Sequence, residues 1–409
     1  MEELLSKCKE ASKKLQLLTE DDVNKCLLNI KDALIKNKDF ILKENQKDIN
    51  NAKGVIKDSM IDRLTLNDKR ILALASSIDD VISLPFYPGE VIEEIKRPNG
   101  LLIKKVRVPF GVIASIFESR PNVSVDISVL GLKTLNAVVL KGGKEAINTN
   151  IALCKVMRDA IKDIVDPHVI TLIESTNRED TNKLLTMKDY IDLMIPRGSK
   201  GLIKYVVENA KIPYIETGAG NCHLYVHKMA NIDMALNVIV NAKVQRPSVC
   251  NAIENILVDK EIARDFLPKL KETLDKYNVE IRGCDYTSSI IDCIKASEDD
   301  FYEEYNDYIV AVKVVNSLDE AINHINIHST KHSEAIITED DYAAARFLNE
   351  IDSACLYHNA STRFTDGGEF GFGAEIGIST TKLHARGPMG LKEITTYKYK
   401  IYGKGQVRE

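Results

Sequence analysis

The chain has 409 residues, of which 44% are hydrophobic and 28% charged, enough for two or three domains that each bury a sizeable core. Lysine and arginine number 55 against 60 aspartates and glutamates, so the formal net charge of -5 offers no pull towards nucleic acid or anionic lipid. The opening MEELLSKCKE lacks the apolar run of a signal peptide, and even the apolar stretch 124–140 carries Asp126 and Lys133, which argues against a membrane span and for a cytoplasmic protein.

The first hundred residues read as helices. Leu5, Cys8, Ser12, Leu15 and Leu18 share one face, and Thr19 with Asp22 forms a capping-box-like start for a second helix bearing Val23, Leu27, Ile30 and Leu34. Pro85, Pro88 and Gly89 break this pattern, and the turn signal RPNG at 97–100, followed by the basic LLIKKVRV, predicts a hairpin at about 97–110. From Gly111 short apolar runs alternate with segments of helical length: GVIASIF (111–117), AVVL (137–140), HVITLI (168–173), IDLMI (191–195) and IPYI (212–215). A second series comprises HLYV (223–226), NILV (255–258), IVAVKVV (309–315), EAIIT (334–338) and ACLY (354–357). Such alternation predicts parallel sheets covered on both faces, hence two α/β domains in tandem. The glycine-rich FTDGGEFGFGAEIG (364–377) reads as a loop over a ligand, and TTYKYKIYGKGQ (395–406) as a strand that adds to a neighbouring subunit's sheet.

Two α/β domains invite a nucleotide, yet no GxxxxGK[ST] is present, and Gly371, Gly373 and Gly377 are spaced GxGxxxG far from any early strand. What does follow strands is Lys141-Gly142-Gly143-Lys144 and Pro196-Arg197-Gly198-Ser199, each suited to phosphate at a helix start but individually common in βα loops. The eight cysteines are scattered without a CxxC pair, as free thiols in a reducing compartment would be. Cys250, in VQRPSVCNA, stands between a helical segment and the NILV strand, where an exposed thiol meets a ligand; by position alone a buried, inert cysteine is the commoner case.

Seven segments carry a resemblance: VPFGVIASIFESRPN (108–122), VVLKGGKEA (138–146), IPRGSKGLI (195–203), IETGAGNCHLYV (215–226), VQRPSVCNAIE (244–254), HNASTRFTDGGEFGFGAEIGIST (358–380) and LHARGPMGLKEITTYKY (383–399). Through them the chain resembles the γ-glutamyl phosphate reductases of the aldehyde dehydrogenase superfamily, from about residue 100 to the C-terminus, with a compatible helical start. The resemblance implies an aldehyde-dehydrogenase-like α/β fold: a cofactor-binding domain over 1–225, a catalytic domain over 226–382, and an oligomerisation element built from the hairpin and residues 383–409. It implies NADPH-dependent reduction of L-glutamyl 5-phosphate to L-glutamate 5-semialdehyde in proline biosynthesis. A homo-oligomer, dimer or tetramer, is expected, with a separate glutamate 5-kinase supplying the acyl phosphate and no metal required.

Carried over by position, Cys250 is the nucleophile, forming a thioester that NADPH reduces. Lys141, with Gly142 and Gly143, falls at the adenosine ribose, Gly198 and Ser199 at the pyrophosphate, and Glu304 at the nicotinamide ribose. Lys144 stands where NAD-using relatives carry a ribose-binding glutamate, which implies NADP(H). The superfamily's oxyanion asparagine aligns with Arg120, and Asn122 is the nearest asparagine; both are candidates, while Arg120 also suits gripping the acyl phosphate or tying down its loop. Glu216 falls at the general base that activates water in oxidative relatives, or else orients the loop and ionises the thiol. By analogy Ser361, Thr362, Gly371 and Gly373 close over the substrate. Competing readings are an oxidative semialdehyde dehydrogenase using Glu216 and water, an inactive nucleotide-binding relative, and a thiol acyltransferase.

His324, His328 and His332 are spaced by four, like a metal face, but NIHSTKHSE ends the helix too early and supplies no carboxylate. His223 and His227 flank one short strand with Cys222 on the opposite face, a weak ligand set. The acidic run 298–304 reads as a solvated segment apart from Glu304.

Overall fold

The computed structural model describes residues 1–56 and 58–408. The chain forms two compact units: unit 1 comprises Met1–Glu216, Phe372–Gly377 and Met389–Glu409, and unit 2 comprises Thr217–Gly371 and Ile378–Pro388. The division falls between Glu216 and Thr217, earlier than the boundary drawn at 225, because the strand Cys222–Val226 lies inside the large sheet of unit 2.

Unit 1 is built on a four-stranded parallel sheet in the order Ile170–Leu172, Ala137–Gly142, Val112–Phe117, Leu193–Met194. Val112–Phe117 and Ala137–Gly142 are buried at every residue, as strands covered on both faces must be. Their carboxyl ends lie on one edge, so the segments after Phe117, Gly142 and Met194 converge there. The run 212–215 is not a strand: Pro213 has no N–H for a ladder, and only a single bridge from Tyr214 to Met194 forms. Of HVITLI only Ile170–Leu172 is extended, after a 3-10 turn over Pro167–Val169.

The helical start is present as Glu2–Leu15, Glu20–Lys36, Lys38–Ala52, Asp58–Leu64 and Asp68–Ser83, with Thr19 and Asp22 making a full capping box. Lys133, in an otherwise apolar helix, is fully buried because its ammonium donates to Asn24 Oδ1 and the Ile82 carbonyl, both at 3.0 Å. The hairpin pairs Val91–Lys96 with Leu102–Pro109 around the RPNG turn, so it begins before residue 97. Thr395–Tyr402 joins it antiparallel as the third strand of the same chain, with Tyr397, Tyr399 and Ile401 exposed.

Unit 2 is a seven-stranded, all-parallel sheet in the order Ile294–Lys295, Glu280–Gly283, Ile309–Val315, Ile253–Asp259, Cys222–Val226, Ser333–Ile337, Cys355–His358. Both outer strands at the Ile294 end escape the apolar-run criterion, since Glu280 and Arg282 alternate with Ile281 and Gly283 at a half-exposed edge.

A buried carboxylate helps to hold the helical start to the sheet layer. The helix Ile147–Ile161 has no side-chain cap of its own. Asp48, 1% exposed, reaches over from Lys38–Ala52 and accepts from Thr149 N (2.7 Å), Thr149 Oγ1 (2.5 Å), Asn148 Nδ2 (2.8 Å) and Asn148 N (3.2 Å). Asp48→Ala strands these buried donors, and is expected to destabilise the fold by about 2–4 kcal/mol in urea unfolding; a loss under about 1 kcal/mol would show that water replaces the carboxylate.

Candidate active site

Cys250 lies in the loop between the helix Ile232–Val244 and the strand Ile253–Asp259. It is partly exposed, whereas Cys8, Cys26, Cys154, Cys222 and Cys355 are buried. Burial pushes the Cys8 and Cys154 thiols up to about 12 and Cys26 up to about 11, which keeps them protonated and inert. Cys284 and Cys293 share Cys250's partial exposure but sit beside Thr287 and Ser288 on an edge of the sheet.

The backbone behind Cys250 is held on several sides. A Cβ on Gly220 would fall 1.4 Å from the Cys250 carbonyl oxygen, so only glycine permits this approach. The Cys222 thiol donates to the same carbonyl at 3.2 Å. Gly220 N–H in turn donates to Glu304 Oε1 at 2.7 Å, which places Glu304 behind the nucleophile loop. Asn251 Nδ2 donates to the Thr365 carbonyl at 2.9 Å, and the Asn251 carbonyl accepts from Thr362 Oγ1 at 2.6 Å. Thr362 is thus fully buried and spends its hydroxyl on the loop, while Ser361 Oγ accepts from Arg363 N–H at 3.2 Å.

Below the loop, Lys243 and Glu254 form a fully buried pair at 2.5 Å. Burial pushes Glu254 up to about 8 and Lys243 down, so it moves both towards neutrality while their mutual attraction opposes it. Arg363, which sequence reasoning passed over beside Ser361 and Thr362, donates to Gln245 Oε1 at 2.9 Å and to Asn251 Oδ1, bracketing the loop on both sides of the thiol. Its signal in the sequence was only a cation next to two singled-out hydroxyls.

In unit 1, Arg120 occupies the turn after Val112–Phe117, and Asn122 opens the helix Asn122–Lys133. Asn122 Nδ2 donates to Asp126 Oδ2 at 2.9 Å, one helical turn on. Lys141 is buried at the end of its strand and donates to the Ser175 carbonyl; burial pushes its pKa down. Gly142 and Gly143 allow close approach, since a Cβ would meet Asn150 Nδ2 at 2.1 Å and the Glu145 carboxylate at 2.2 Å respectively. Lys144 is exposed and makes no ion pair among the described residues. Ser199 caps the helix Lys200–Asn209, and its own N–H donates to Glu118 Oε2 at 2.8 Å; a Cβ on Gly198 would meet that oxygen at 2.7 Å. Glu145 similarly accepts from Ser119 N and Oγ at 2.7 and 2.8 Å. Neither Glu118 nor Glu145 was singled out in the sequence.

Glu216 ends unit 1, partly exposed, and its carboxylate makes no hydrogen bond among the described residues. Gly371 closes the main segment of unit 2 with φ +76°, and Gly373 in unit 1 has φ +73°. His324 and His328 stack with centroids 3.9 Å apart, and burial pushes His324 down to about 2 and His332, beyond the helix end, to about 4. His328 Nε2 lies 2.8 Å from Glu298 Oε1, and His227 Nδ1 bonds Thr338 Oγ1 at 2.8 Å. His223 Nδ1 bonds the Asn221 carbonyl at 3.1 Å.

Comparison with known proteins bears on this arrangement. Residues 1–290 match the aldehyde dehydrogenase family model. The γ-glutamyl phosphate reductase of Dictyoglomus thermophilum is 55% identical over 411 aligned positions, covering 100% of this chain and 99% of that protein. The chain belongs to the γ-glutamyl phosphate reductases of the aldehyde dehydrogenase family. The crystal structure of the Thermotoga maritima γ-glutamyl phosphate reductase superposes with a TM-score of 0.97 at 47% identity, covering 100% of this chain and 99% of that one. An acetylating aldehyde dehydrogenase from Geobacillus thermoglucosidasius shares the fold at 16% identity and TM-score 0.71, covering 100% of this chain and 97% of that one.

Gly220→Ala forces the Cys250 backbone to move, and is expected to lower aldehyde-oxidising turnover about 10²-fold while leaving the far-UV circular dichroism intact. Unchanged turnover would mean that the thiol's placement tolerates the shift.

Proposed function

We propose that the chain reduces L-glutamyl 5-phosphate to L-glutamate 5-semialdehyde with NADPH, the step of proline biosynthesis that follows a separate glutamate 5-kinase, in the cytoplasm. The observation that carries the reading is Cys250: among the buried thiols around it, this partly exposed one has its backbone fixed from behind by Gly220, Cys222 and Thr362. Full-length similarity to γ-glutamyl phosphate reductases supports the substrate.

The residues of unit 1 fit a dinucleotide. Ser199 N–H already holds a carboxylate, Glu118, which marks the helix start as an anion position, and exposed Lys144 adds a cation after another strand of the same sheet. Lys141, Gly142, Gly143 and Lys144 would hold the adenosine side, Gly198 and Ser199 the pyrophosphate, and Glu304 the nicotinamide ribose. When bound, the cofactor supplies a hydride.

The Cys250 thiolate attacks the γ-carbonyl carbon, the carbon–oxygen bond to phosphate breaks, and inorganic phosphate leaves. Asn122, oriented by Asp126, or Arg120 donates to the oxyanion that forms, and Arg120 also grips the phosphate. Reduction of the thioester gives a thiohemiacetal, whose collapse returns the thiolate and releases the aldehyde. Ser361, Gly371 and Gly373 enclose the substrate, whereas Thr362 positions the nucleophile loop. Glu216 orients rather than activates water. The three-stranded sheet with its exposed tyrosines supports a homo-oligomer.

Run backwards, glutamate semialdehyde oxidation by this route consumes inorganic phosphate. NADPH formation is expected to require phosphate or arsenate, and Glu216→Gln to cost less than about tenfold, whereas loss of a true general base costs about 10² to 10⁴. Steady oxidation without phosphate, abolished by Glu216→Gln, would make the chain an oxidative dehydrogenase instead.

Cofactor choice turns on Lys144. The parent is expected to prefer NADPH, and Lys144→Glu to shift the kcat/KM ratio towards NADH by about 1–3 kcal/mol, the scale of one charge-assisted contact. Equal efficiency with both cofactors in the parent would remove Lys144 from that role.

A further inference from the structure

We propose that a cavity within unit 1 receives the α-ammonium group of the substrate, with Asp126 as the residue that holds it. This rests on the amino-acid substrate proposed above and names the group that selects it. The cavity has a volume of about 230 Å³ and lies between the helix Asp68–Ser83, the helix Asn122–Lys133 and residues 373–375. Its walls are apolar at Ile78, Val81, Val125, Val129 and Leu130, while its charged groups are all carboxylates, those of Asp80, Asp126 and Glu375. No lysine, arginine or histidine among the described residues lines it. An ammonium brings one positive charge and three donors, and carboxylates are acceptors, so the lining matches that group and repels an anion.

Asp126 is the central member. Its Oδ2 is taken by Asn122, and Oδ1 accepts no hydrogen bond among the described residues. Burial pushes its carboxyl up to about 6, opposed by the Asn122 hydrogen bond and by Arg197; a cation in the cavity would restore the ionised form. The third wall is fixed close by: Gly373 has φ +73°, and a Cβ there would meet Leu84 Cδ2 at 2.3 Å. Scale agrees with chemistry. Asn122 Nδ2 and Asp126 Oδ2 are in contact at 2.9 Å, so a carbonyl oxygen on the first and an ammonium on the second are a few ångströms apart, and the aldehyde carbon of glutamate semialdehyde is four bonds from its α-nitrogen, about 5 Å when extended. With Asn122 at the carbonyl oxygen, Asp126 is in position for the amine. An aldehyde lacking the amine leaves this carboxylate without its partner, the kind of loss that discriminates strongly.

The test compares glutamate 5-semialdehyde with 5-oxopentanoate, which has the same chain and carboxylate but no amine, using NADP+ and phosphate. The parent is expected to favour the amino aldehyde in kcat/KM, and Asp126→Asn to cut that preference about ten- to hundredfold, the worth of a hydrogen bond to a charged group. Because Asp126 also orients Asn122, both absolute rates fall, and the ratio isolates recognition from catalysis. Glu375→Gln, on the facing segment, is expected to lower the ratio in the same direction and serves if Asp126→Asn fails to fold. A ratio unchanged in both variants overturns the subsite while leaving the reductase reading standing. Turnover of both aldehydes that falls alike on adding EDTA would mean that the carboxylates hold a divalent cation, and also overturns it. A parent inactive on both aldehydes with phosphate present would remove the reading above and this subsite with it.

Discussion

The close approach of Gly220 to the carbonyl of Cys250 is the constraint on which unit 2 turns. Cys250 stands in an irregular loop, and a loop's own polar groups need partners. Here those partners come from the segment before the strand Cys222–Val226. Gly220 contributes a surface with no side chain, Cys222 a thiol donor, and Asn221 links onwards, donating to the Phe301 carbonyl at 2.8 Å and the His328 carbonyl at 3.0 Å. Asn255, on the next strand, donates to Asn221 Oδ1 at 2.7 Å. The Cys250 loop is therefore braced through fully buried amides whose displacement leaves orphan donors.

Unit 1 solves a related problem with charge. Helix starts and tight βα turns present N–H groups that lack acceptors within their own element. Carboxylates meet them from neighbouring segments: Asp48 at Ile147–Ile161, Glu145 at Ser119, and Glu118 at Ser199. The first is buried and structural, 1% exposed. The last is an exposed hydrogen bond at the start of Lys200–Asn209, where an anion meets the positive end of the helix.

How much of this was visible in the sequence depended on burial. Strands buried on both faces, such as Val112–Phe117, Ala137–Gly142 and Ile253–Asp259, announce themselves as apolar runs, and the capping box at Thr19 is local by construction. The penultimate strand Glu280–Gly283 and the edge strand Ile294–Lys295 do not, because polar residues alternate with apolar ones in each. IPYI misled in the opposite direction: its two isoleucines are buried, but Pro213 keeps it from a ladder. Among site residues, Cys250 and Lys141 stood out through the family resemblance, whereas Arg363, Glu118 and Asp126 act through contacts made across many residues of chain or one helical turn. A charge in a sequence carries no mark of what it will face.

The Lys243–Glu254 pair shows why such contacts matter beyond their own energy. Two charges taken wholly from water cost several kcal/mol each, and their attraction at 2.5 Å is offset largely by that loss, so the pair adds little net stability. Its directions of shift agree with this, since burial drives both partners towards their neutral forms. What the pair supplies is geometry. It ties the last turn of Ile232–Val244 to the start of Ile253–Asp259, the two ends from which the Cys250 loop springs, and Glu254 Oε1 also accepts from Asn306 N–H at 3.2 Å. An apolar pair of equal volume would pack as well but would not specify the separation of those ends to within a hydrogen bond's tolerance. With Arg363 bracketing the loop from Gln245 to Asn251, the thiol is suspended between a buried link below and a guanidinium at its side, and both act on where the sulfur sits.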